Sequence, residues 1–424
     1  MKKYLSTSGI IAIFVFGASA LTAHAATMNI TAKFSPDINN PSNNKFENTT
    51  PLSGFCSRWT SYCKSKGLKF SINLPITTTR STAITKNHSP RDGIYFKLPD
   101  KTKISVMNES GESHELYFQF KALTATARRN YQSDSFKDGA LAWGGRDLSN
   151  QRCGSAGLGM SPGSPWYSFG WVWGGGRACF KTSKVDRDGE DHRIFDEQSI
   201  AYELITPNPL EMASGIYKGS VAFIIGPGGD IDYGDNYTAS DTLLNVSFTL
   251  TVNHELKVTP APGATDVTLY PCYYGSACSK ESAEKNWERW MVTNIPPQKM
   301  SGLSGFNISS SGSFTVYMMC GGGSAQSADS CPMVSNKSNT VVPVKALLTL
   351  PGNITDQNGQ RVVNKPLYTG KDVSRNRFIA SSFGIDQPGQ IDFVIGKKDI
   401  GEMLKSRPDS WSGNVTLMFD PNIY

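Results

Sequence analysis

A short glycine-rich stretch is the first candidate for chemistry. Gly159-Met160-Ser161-Pro162-Gly163 matches G-x-S-x-G, the pattern that places a serine nucleophile on a turn between a strand and a helix. In that motif the residue after the serine donates its backbone N–H to the oxyanion, but Pro162 has no N–H. The residues that follow are typical of a strand. The sequence therefore disfavours a serine hydrolase.

A second stretch, Asp230 to Asp241, is rich in carboxylates. A calcium loop of the EF-hand type needs glycine at its sixth position and a bidentate glutamate at its twelfth, and here these positions hold Asp235 and Asp241. Because the stretch opens with Gly-Pro-Gly-Gly, an acidic hairpin loop is the favoured interpretation. The histidines beyond residue 25 stand singly, which indicates neither a zinc site nor a histidine base. We expect no metal, no cofactor and no enzymatic activity.

Aromatic residues concentrate in the segment 165–173, PWYSFGWVW. If it is a strand, Trp171 and Trp173 share one face and Trp166 lies on the other. Aromatic rings can stack on the faces of sugars, but one of the two faces must fill a core. Each tryptophan is therefore a candidate either for ligand contact or for core packing.

Arginines lie near both ends of this segment. Arg128 and Arg129 form an adjacent pair after the strand-like LYFQFKALTA. Planar guanidinium groups bind sulfate or carboxylate oxygens in a bidentate manner, although a solvated turn is the simpler alternative. The ligand-binding candidates from the sequence are Arg128, Arg129, Arg146, Arg177, Trp166, Trp171 and Trp173.

Charge separates along the chain. Residues 26–181 hold 20 Lys and Arg against 10 Asp and Glu, residues 182–250 hold 4 against 12, and residues 251–424 hold 16 against 14. In an exported protein, a basic first half favours acidic partners such as sulfated or sialylated glycans over nucleic acid. A mixed-charge surface, on which the two signs meet in the fold, is the alternative.

The amino terminus and the cysteines both predict export. Basic residues precede an apolar run at 10–21, and Ala23-His24-Ala25 offers a signal-peptidase site, so we expect a signal peptide over residues 1–25. The eight cysteines form no CxxC pair and have no zinc-type spacing, which favours disulfides in an oxidising compartment. Their short gaps favour pairing in sequence order, as Cys56–Cys63, Cys153–Cys179, Cys272–Cys278 and Cys320–Cys331.

Alternating apolar residues recur with the two-residue period of strands, most clearly in LNVSFTLTV. With 40 Gly and 23 Pro, the composition favours an all-β fold, with short helices expected only over Lys280–Met291 and Asp399–Lys405. About 400 residues exceed what one core usually holds. We therefore predict two domains, residues 26–252 and 256–424, joined by a linker at 253–255.

The final strand-like segment, SGNVTLMFDPNIY, raises the question of what covers it. Val415, Leu417 and Phe419 alternate with Asn414, Thr416 and Met418, which is the two-residue period of a strand with one buried face. An apolar strand at the edge of a sheet is a template for pairing with another chain.

The sequence resembles the two-domain tip adhesins of enterobacterial chaperone-usher colonisation fimbriae. Four stretches carry the resemblance, NNKFENTTPLSGFCSRW, ASGIYKGSVAFIIGPGGDIDYGD, VSFTLTVNHELKVTP and SWSGNVTLMFDP. The resemblance implies two immunoglobulin-like β-sandwich domains in tandem. The first would be lectin-like, and the second would be an incomplete pilin-type sandwich that lacks its last strand.

The resemblance also implies partners and a location. A periplasmic fimbrial chaperone would pair with Gly413, Val415, Leu417 and Phe419, and at the outer-membrane usher a strand from a neighbouring subunit would replace it. The family's penultimate tyrosine is displaced here to the last residue, Tyr424. The first domain would bind an acidic host-cell glycan or glycolipid at the fimbrial tip on the bacterial surface, and no nucleic acid.

Two other functions remain open from the sequence. A minor or shaft subunit without receptor binding would use ATMNITAKFSP as a free donor extension, whereas a tip adhesin needs that segment as an internal strand. A secreted β-rich glycan hydrolase would need two carboxylates about 5 to 10 Å apart across a cleft. No such pair is marked in the sequence.

Overall fold

The computed structural model describes residues 25–421 except 81, 87, 129–152, 156–165, 174–175, 184–185, 187–193, 274–277 and 322–326. Residues 1–24 of the expected signal peptide, the G-x-S-x-G stretch, Arg129, Arg146 and Tyr424 lie outside the described residues. Within the described part, no helix has the length and apolar character needed to cross a membrane.

Strands dominate the described chain, in agreement with the predicted all-β class. The strands before residue 253 are β1 (Ala25–Phe34), β2 (Glu47–Asn48), β3 (Phe70–Asn73), β4 (Thr78–Arg80), β5 (Ile94–Lys97), β6 (Thr102–Met107), β7 (Ser113–Arg128), β8 (Gly154–Ser155), β9 (Trp166–Val172), β10 (Ala178–Lys181), β11 (Ile194–Ile205), β12 (Gly215–Ile224), β13 (Tyr237–Ala239) and β14 (Leu243–Val252). The strands after residue 255 are β15 (Leu256–Pro260), β16 (Tyr270–Cys272), β17 (Lys299–Ser310), β18 (Ser313–Cys320), β19 (Cys331–Ser335), β20 (Val341–Thr349), β21 (Ile354–Asp356), β22 (Lys365–Pro366), β23 (Arg377–Ala380), β24 (Gly384–Gly396), β25 (Trp411–Ser412) and β26 (Val415–Asp420). The helices are α1 (Phe55–Arg58), α2 (Thr60–Ser65), α3 (Lys280–Thr293), α4 (Val373–Asn376) and α5 (Lys397–Met403).

The strands before residue 253 form one large sheet and a small one. The large sheet runs β13-β4-β11-β7-β6-β12-β14-β1-β2, with β3, β8 and β9 attached beside this path, and β10 pairs with β5. Along β14 every second side chain, from Leu244 to Val252, is buried. The alternation in LNVSFTLTV therefore corresponds to a strand with one core face, as the sequence predicts.

The first strand of the described chain belongs to this sheet. Over 10 residues β1 runs parallel to β14, from the pair Ala25–Leu243 to the pair Phe34–Val252. Its alternating side chains Met28, Ile30 and Phe34 are buried in the same core. This strand is held on its other side by β2.

The strands after residue 255 form two sheets around a separate cluster of buried side chains. One sheet runs β15-β17-β24-β20-β19-β25, with β16 and β22 beside it, and the other runs β21-β23-β18-β26. Helix α3 begins at the predicted residue, Lys280, and α5 begins two residues before its predicted start. The two sheets face one another across residues such as Phe314, Leu348 and Ile391.

The eight cysteines form the four pairs expected from their order in the sequence. The first pair, Cys56–Cys63, joins α1 to α2, two short helices that the sequence analysis did not predict. Their start depends on distant strands, because the N–H of Phe55 donates to Ser199 Oγ at 3.0 Å and the N–H of Cys56 donates to Ser71 Oγ at 3.0 Å. Such caps have no signature in the local sequence.

The acidic stretch that follows β12 surrounds an arginine. The guanidinium of Arg91 donates to Asp232, which is 1% exposed, at 3.0 Å and to Asp235 at 2.7 Å. The hydrogen bond from Arg91 holds the pKa of Asp235 below its usual value, and the two carboxylates raise the pKa of Arg91. Two of the four carboxylates in this stretch are thus paired with a side chain of the protein itself.

The segment that joins the two sets of sheets contains a half-buried histidine. His254 Nε2 donates to the carbonyl of Met212 at 2.9 Å, and its Nδ1 lies 3.3 Å from Ser311 Oγ. The ring packs edge-on against Phe34 at 5.5 Å, and a Cβ at Gly312 would come within 2.4 Å of it. Burial lowers the pKa of His254, although the hydrogen bond to Met212 and the charge of Glu112 act in the opposite direction.

Protonation of His254 is expected to weaken this junction. The folded pKa is lowered, so as the pH falls below the unfolded value of about 6.5, the unfolded chain takes up the proton first and stability is lost. The thermal midpoint of the wild-type chain should fall more between about pH 7.5 and about pH 5.5 than that of a His254→Gln variant, which keeps a donor but does not titrate. Equal decreases for both proteins would contradict this assignment.

Candidate functional site

The last strand has a backbone partner along only one of its edges. β26 pairs antiparallel with β18, from Val415 opposite Cys320 to Asp420 opposite Thr315. Among the described residues no strand pairs with the other edge of β26. The backbone N–H and C=O groups on that side are therefore available to an incoming strand.

The side chains of β26 alternate as its sequence predicts. Val415, Leu417 and Phe419 are half-buried and pack on the second core, whereas Thr416 and Met418 point outward and are exposed. Phe419 contacts the ring of Phe306 edge-on at 5.3 Å. Because these three apolar side chains are only partly covered, they leave an apolar surface beside the unpaired edge.

That surface is one wall of a groove of about 750 Å³. The opposite wall is β15 with the segment that follows it, and within the described part of the chain β15 pairs only with β17, so it too ends a sheet. The floor is apolar and is formed by Phe306, Met333, Val344, Ile391 and Phe393. The groove, defined by β15, β26 and this floor, thus lies between two strands that each lack a neighbour on the facing side.

A groove of this kind can bind an extended peptide segment. An extended segment laid in it would gain backbone hydrogen bonds at the strand edges, while every second side chain would enter the apolar floor. This geometry fits a peptide with alternating apolar residues. A polar or highly charged segment would leave its buried polar groups without compensation.

At Gly413, just before β26, the backbone passes too close to β19 to leave room for a side chain. A Cβ there would lie 2.6 Å from the carbonyl oxygen of Pro332 and 3.3 Å from Cα of Met333, both of them backbone atoms of β19. The four residues predicted for strand pairing, Gly413, Val415, Leu417 and Phe419, all line the groove. The structure therefore places these four residues along one wall of the groove.

Among the ligand-binding candidates of the first half, Trp171, Trp173 and Arg177 have described side chains. Arg128 and Trp166 are opposite each other on β7 and β9, and their side chains, like Arg129 and Arg146, lie outside the described residues. Arg177 is exposed, and its carbonyl accepts a hydrogen bond from Trp173 Nε1 at 3.0 Å.

Two of the tryptophan candidates are core residues. Trp171 is 0% exposed and packs edge-on against Phe96 at 5.4 Å, and Trp173 is 8% exposed. A ligand cannot reach a side chain that the fold covers, so the expectation that Trp171 and Trp173 contact a ligand is corrected. The face of β9 that carries them is the face that fills the core.

Besides the groove, the structure has a pocket of about 700 Å³ in the first half of the chain, which the sequence did not predict. It lies between α1–α2 and the strands β7 and β11, and its lining includes Arg58, Trp59, Tyr62 and Glu197. The only local signal was a pair of aromatic residues between two close cysteines. The carboxylate that faces them is more than a hundred residues away, so the spacing of residues could not reveal it.

Comparison with known proteins gives low-scoring structural matches. No family model and no curated protein matches the chain. A solved chaperone–tip adhesin complex of CFA/I fimbriae aligns over 94% of this chain and 97% of its own, with 10% identity and a TM-score of 0.24. The CsuC–CsuE chaperone–tip adhesin pre-assembly complex of Acinetobacter baumannii Csu pili aligns over 94% and 99%, with 11% identity and a TM-score of 0.19. CfaE, the adhesive subunit of CFA/I fimbria of enterotoxigenic Escherichia coli, aligns over 93% and 92%, with 8% identity and a TM-score of 0.20. These scores are low, so the function proposed below rests on the contacts of the chain itself.

Replacing Gly413 by alanine should destabilise the end of the chain. The added Cβ meets backbone atoms that cannot move aside, so the start of β26 must shift, at a cost of about 1 to 3 kcal/mol. Gly401 is the matched control, because it lies in α5 with nothing within 4 Å of its Cβ position. Gly401→Ala should leave stability equal or slightly higher. The measurement is thermal unfolding, and equal midpoints for Gly413→Ala and wild type would contradict the close approach.

Proposed function

We propose that the chain is a fimbrial adhesin subunit whose C-terminal part is a pilin-type domain completed by a strand from another polypeptide. The observation that carries the proposal is the groove between the unpaired edges of β15 and β26. Its apolar floor and the alternating half-buried side chains of β26 suit a strand donated by another polypeptide. Binding of this kind is called β-augmentation.

The free energy that a donated strand would add is comparable with the stability of a whole domain. Full burial of a large apolar side chain stabilises a protein by about 1.5 to 3 kcal/mol, and Val415, Leu417 and Phe419 are already half-buried, so completing their burial adds about 1 kcal/mol each. Each new backbone hydrogen bond adds about 0.5 to 1.5 kcal/mol. The total of several kcal/mol approaches the about 5 to 15 kcal/mol by which a whole domain is stable. An uncomplemented subunit would therefore be marginal and prone to aggregate.

The domain division follows from the same arrangement. We propose an N-terminal lectin-like domain at 26–252, a linker at 253–255 and a C-terminal pilin domain at 256–424, each an immunoglobulin-like sandwich. Separate sheets and separate buried clusters on the two sides of the linker support this division.

The first strand favours a tip position over a shaft position. A shaft subunit needs its first segment free to enter a neighbour, whereas β1 pairs with β14 over 10 residues and buries its alternating side chains in its own core. Withdrawing Met28, Ile30 and Phe34 from that core would cost several kcal/mol. This favours β1 as an internal strand of the N-terminal domain over a donor strand for a neighbouring subunit.

The partners follow from the groove. In the periplasm, a fimbrial chaperone would place a strand beside β26, and at the outer-membrane usher a neighbouring subunit would replace it with its own. The mature protein would then be displayed at the fimbrial tip on the bacterial surface, where the first domain binds a host-cell glycan or glycolipid. The net positive charge of residues 26–181 supports an acidic receptor, sialylated or sulfated.

A charge placed in the groove should block strand donation. Leu417→Lys introduces a charge at a position that a donated strand would bury, so recovery of a complex with a co-expressed fimbrial chaperone should fall at least about tenfold. Met319→Lys is the matched control, because Met319 on the neighbouring strand β18 is exposed and is not among the described residues that line the groove. The measurement is the amount of chain that co-purifies with a tagged chaperone from the periplasm.

Deletion of residues 413–424 extends the same test. Removing the strand should abolish co-purification entirely, since the chaperone loses the edge with which it pairs. If the deleted chain or Leu417→Lys is recovered as well as wild type, the proposed completion of the domain is wrong.

The arginine pair gives a separate test of the receptor class. Replacing Arg128 and Arg129 by alanine should weaken binding to a sialylated glycan and reduce the salt dependence of that binding. Lys103→Ala is the control, because Lys103 is a surface cation paired with Glu115 on the neighbouring strand. Binding by the chaperone-bound chain is measured at low and high salt, and unchanged binding at both would remove the pair from the receptor site.

A further inference from the structure

The second pocket, between α1–α2 and the strands β7 and β11, has an exposed aromatic wall. Trp59 is 44% exposed, although tryptophan is normally well covered, and Tyr62 lies on the same wall. The position of Trp59 is fixed, because its N–H donates to the carbonyl of Phe55 at 2.7 Å and its own carbonyl accepts from the N–H of Cys63 at 3.0 Å. The Cys56–Cys63 disulfide closes this turn. An indole that projects from this fixed backbone and stays open to solvent is a surface for stacking.

The base of this wall approaches the sheet very closely. Gly54 has a φ of 71°, which favours glycine, and a Cβ there would lie 2.4 Å from Cβ of Ser199 on β11. The hydroxyl of Ser199 accepts from the N–H of Phe55 and lies 2.7 Å from Thr124 Oγ1. These contacts fix the aromatic wall against the strands that form the other side of the pocket.

The opposite wall carries a carboxylate on an irregular strand. The register of β11 against β7 shifts between Asp196 and Ser199, and Glu197 within this bulge has a φ of 45°. A non-glycine residue in the left-handed region costs about 1 to 3 kcal/mol, and bulges are known to redirect side chains at binding sites. Here the bulge brings Glu197 to the pocket, where it accepts from Thr126 Oγ1 at 3.3 Å.

An arginine from the aromatic wall completes the polar groups. Arg58 Nη1 lies 3.8 Å from Glu197 Oε2, and the two side chains are 60% and 47% exposed. This separation is longer than the about 2.7 to 2.9 Å of a strong charge-assisted hydrogen bond. Arg58 and Glu197 therefore place a hydrogen-bond donor and an acceptor next to each other at the mouth of the pocket, at a distance too long for a strong hydrogen bond between them.

The geometry points to a sugar site, and we infer that this pocket holds one uncharged sugar ring of the glycan receptor. This inference rests on the proposed adhesin function and names the ligand group of its first domain. The ring would stack on Trp59, while Arg58 donates to one of two neighbouring hydroxyls and Glu197 accepts from the other. A volume of about 700 Å³ accommodates a small oligosaccharide terminus.

The charge of the lining decides between neutral and acidic rings. Arg58 and Glu197 are the charged residues among those that line the pocket, so the described lining has no net charge. A sialic acid or sulfate that paired with Arg58 would also lie beside the Glu197 carboxylate, which is 3.8 Å from Arg58 Nη1, and this proximity is unfavourable. An acidic group on the receptor would therefore lie outside this pocket.

The test uses the full chain bound to a fimbrial chaperone and immobilised oligosaccharides with galactose, mannose or N-acetylglucosamine termini, each with and without a sialic acid cap. Trp59→Ala should reduce affinity about tenfold or more for the glycan that binds, whereas Trp59→Phe keeps a stacking ring and should reduce it much less. Glu197→Gln should reduce affinity about tenfold, and Glu115→Gln, a change to an exposed carboxylate outside the pocket, should not. Matching thermal midpoints show that each variant is folded.

The outcomes separate the inference from the function on which it rests. Loss of binding with Trp59→Ala and Glu197→Gln, together with retention in the two controls, supports the pocket. Unchanged binding in both pocket variants, or binding only of acid-capped rings that improves with Glu197→Gln, overturns the pocket and leaves the adhesin function standing. If the folded wild-type chain binds no glycan in the panel while it still forms its chaperone complex, the glycan receptor itself is wrong and strand donation is unaffected.

Discussion

The one-sided hydrogen bonding of β26 is the constraint on which the C-terminal half depends. A strand whose second edge is unpaired must expose its backbone to water or pair with another chain. Here the unpaired edge faces a groove with an apolar floor, and β15, the edge strand of the other sheet in the described chain, lies on the far side. The half-burial of Val415, Leu417 and Phe419 follows from this arrangement, because the layer that would cover them is missing from the described chain.

The N-terminal half meets the same requirement with its own chain. There β1 lies parallel to β14 and fills the core beside it with alternating apolar side chains. In the described chain the two halves thus differ at these strands, since β1 has a long backbone partner whose core it shares, whereas β26 borders an apolar groove. The segment between the two sets of sheets contains His254, which contacts Phe34, Met212 and Ser311.

The binding surfaces of the first half show where local patterns stop being informative. The aromatic segment around β9 was a reasonable candidate for ligand contact, but a two-residue period identifies two faces without saying which one is buried. The packing of Trp171 against Phe96 decided that question. In contrast, Trp59 lies between α1 and α2, and Ser71 and Ser199, on other strands, accept hydrogen bonds from the first N–H groups of α1. A pocket that joins Trp59 to Glu197 cannot be read from either local segment.

Local pattern was sufficient for several features of this chain. The all-β class, the alternation of β14 and β26, the positions of α3 and α5 and the four cysteine pairs follow from short-range periodicity and short gaps, which act between residues close in the sequence. Long-range pairing decided the rest: which strand β1 joins, which tryptophans are covered, where the bulge places Glu197, and that β26 has a partner on one side only among the described strands. These features depend on contacts between residues tens to hundreds of positions apart, and a one-dimensional pattern contains no measure of such proximity.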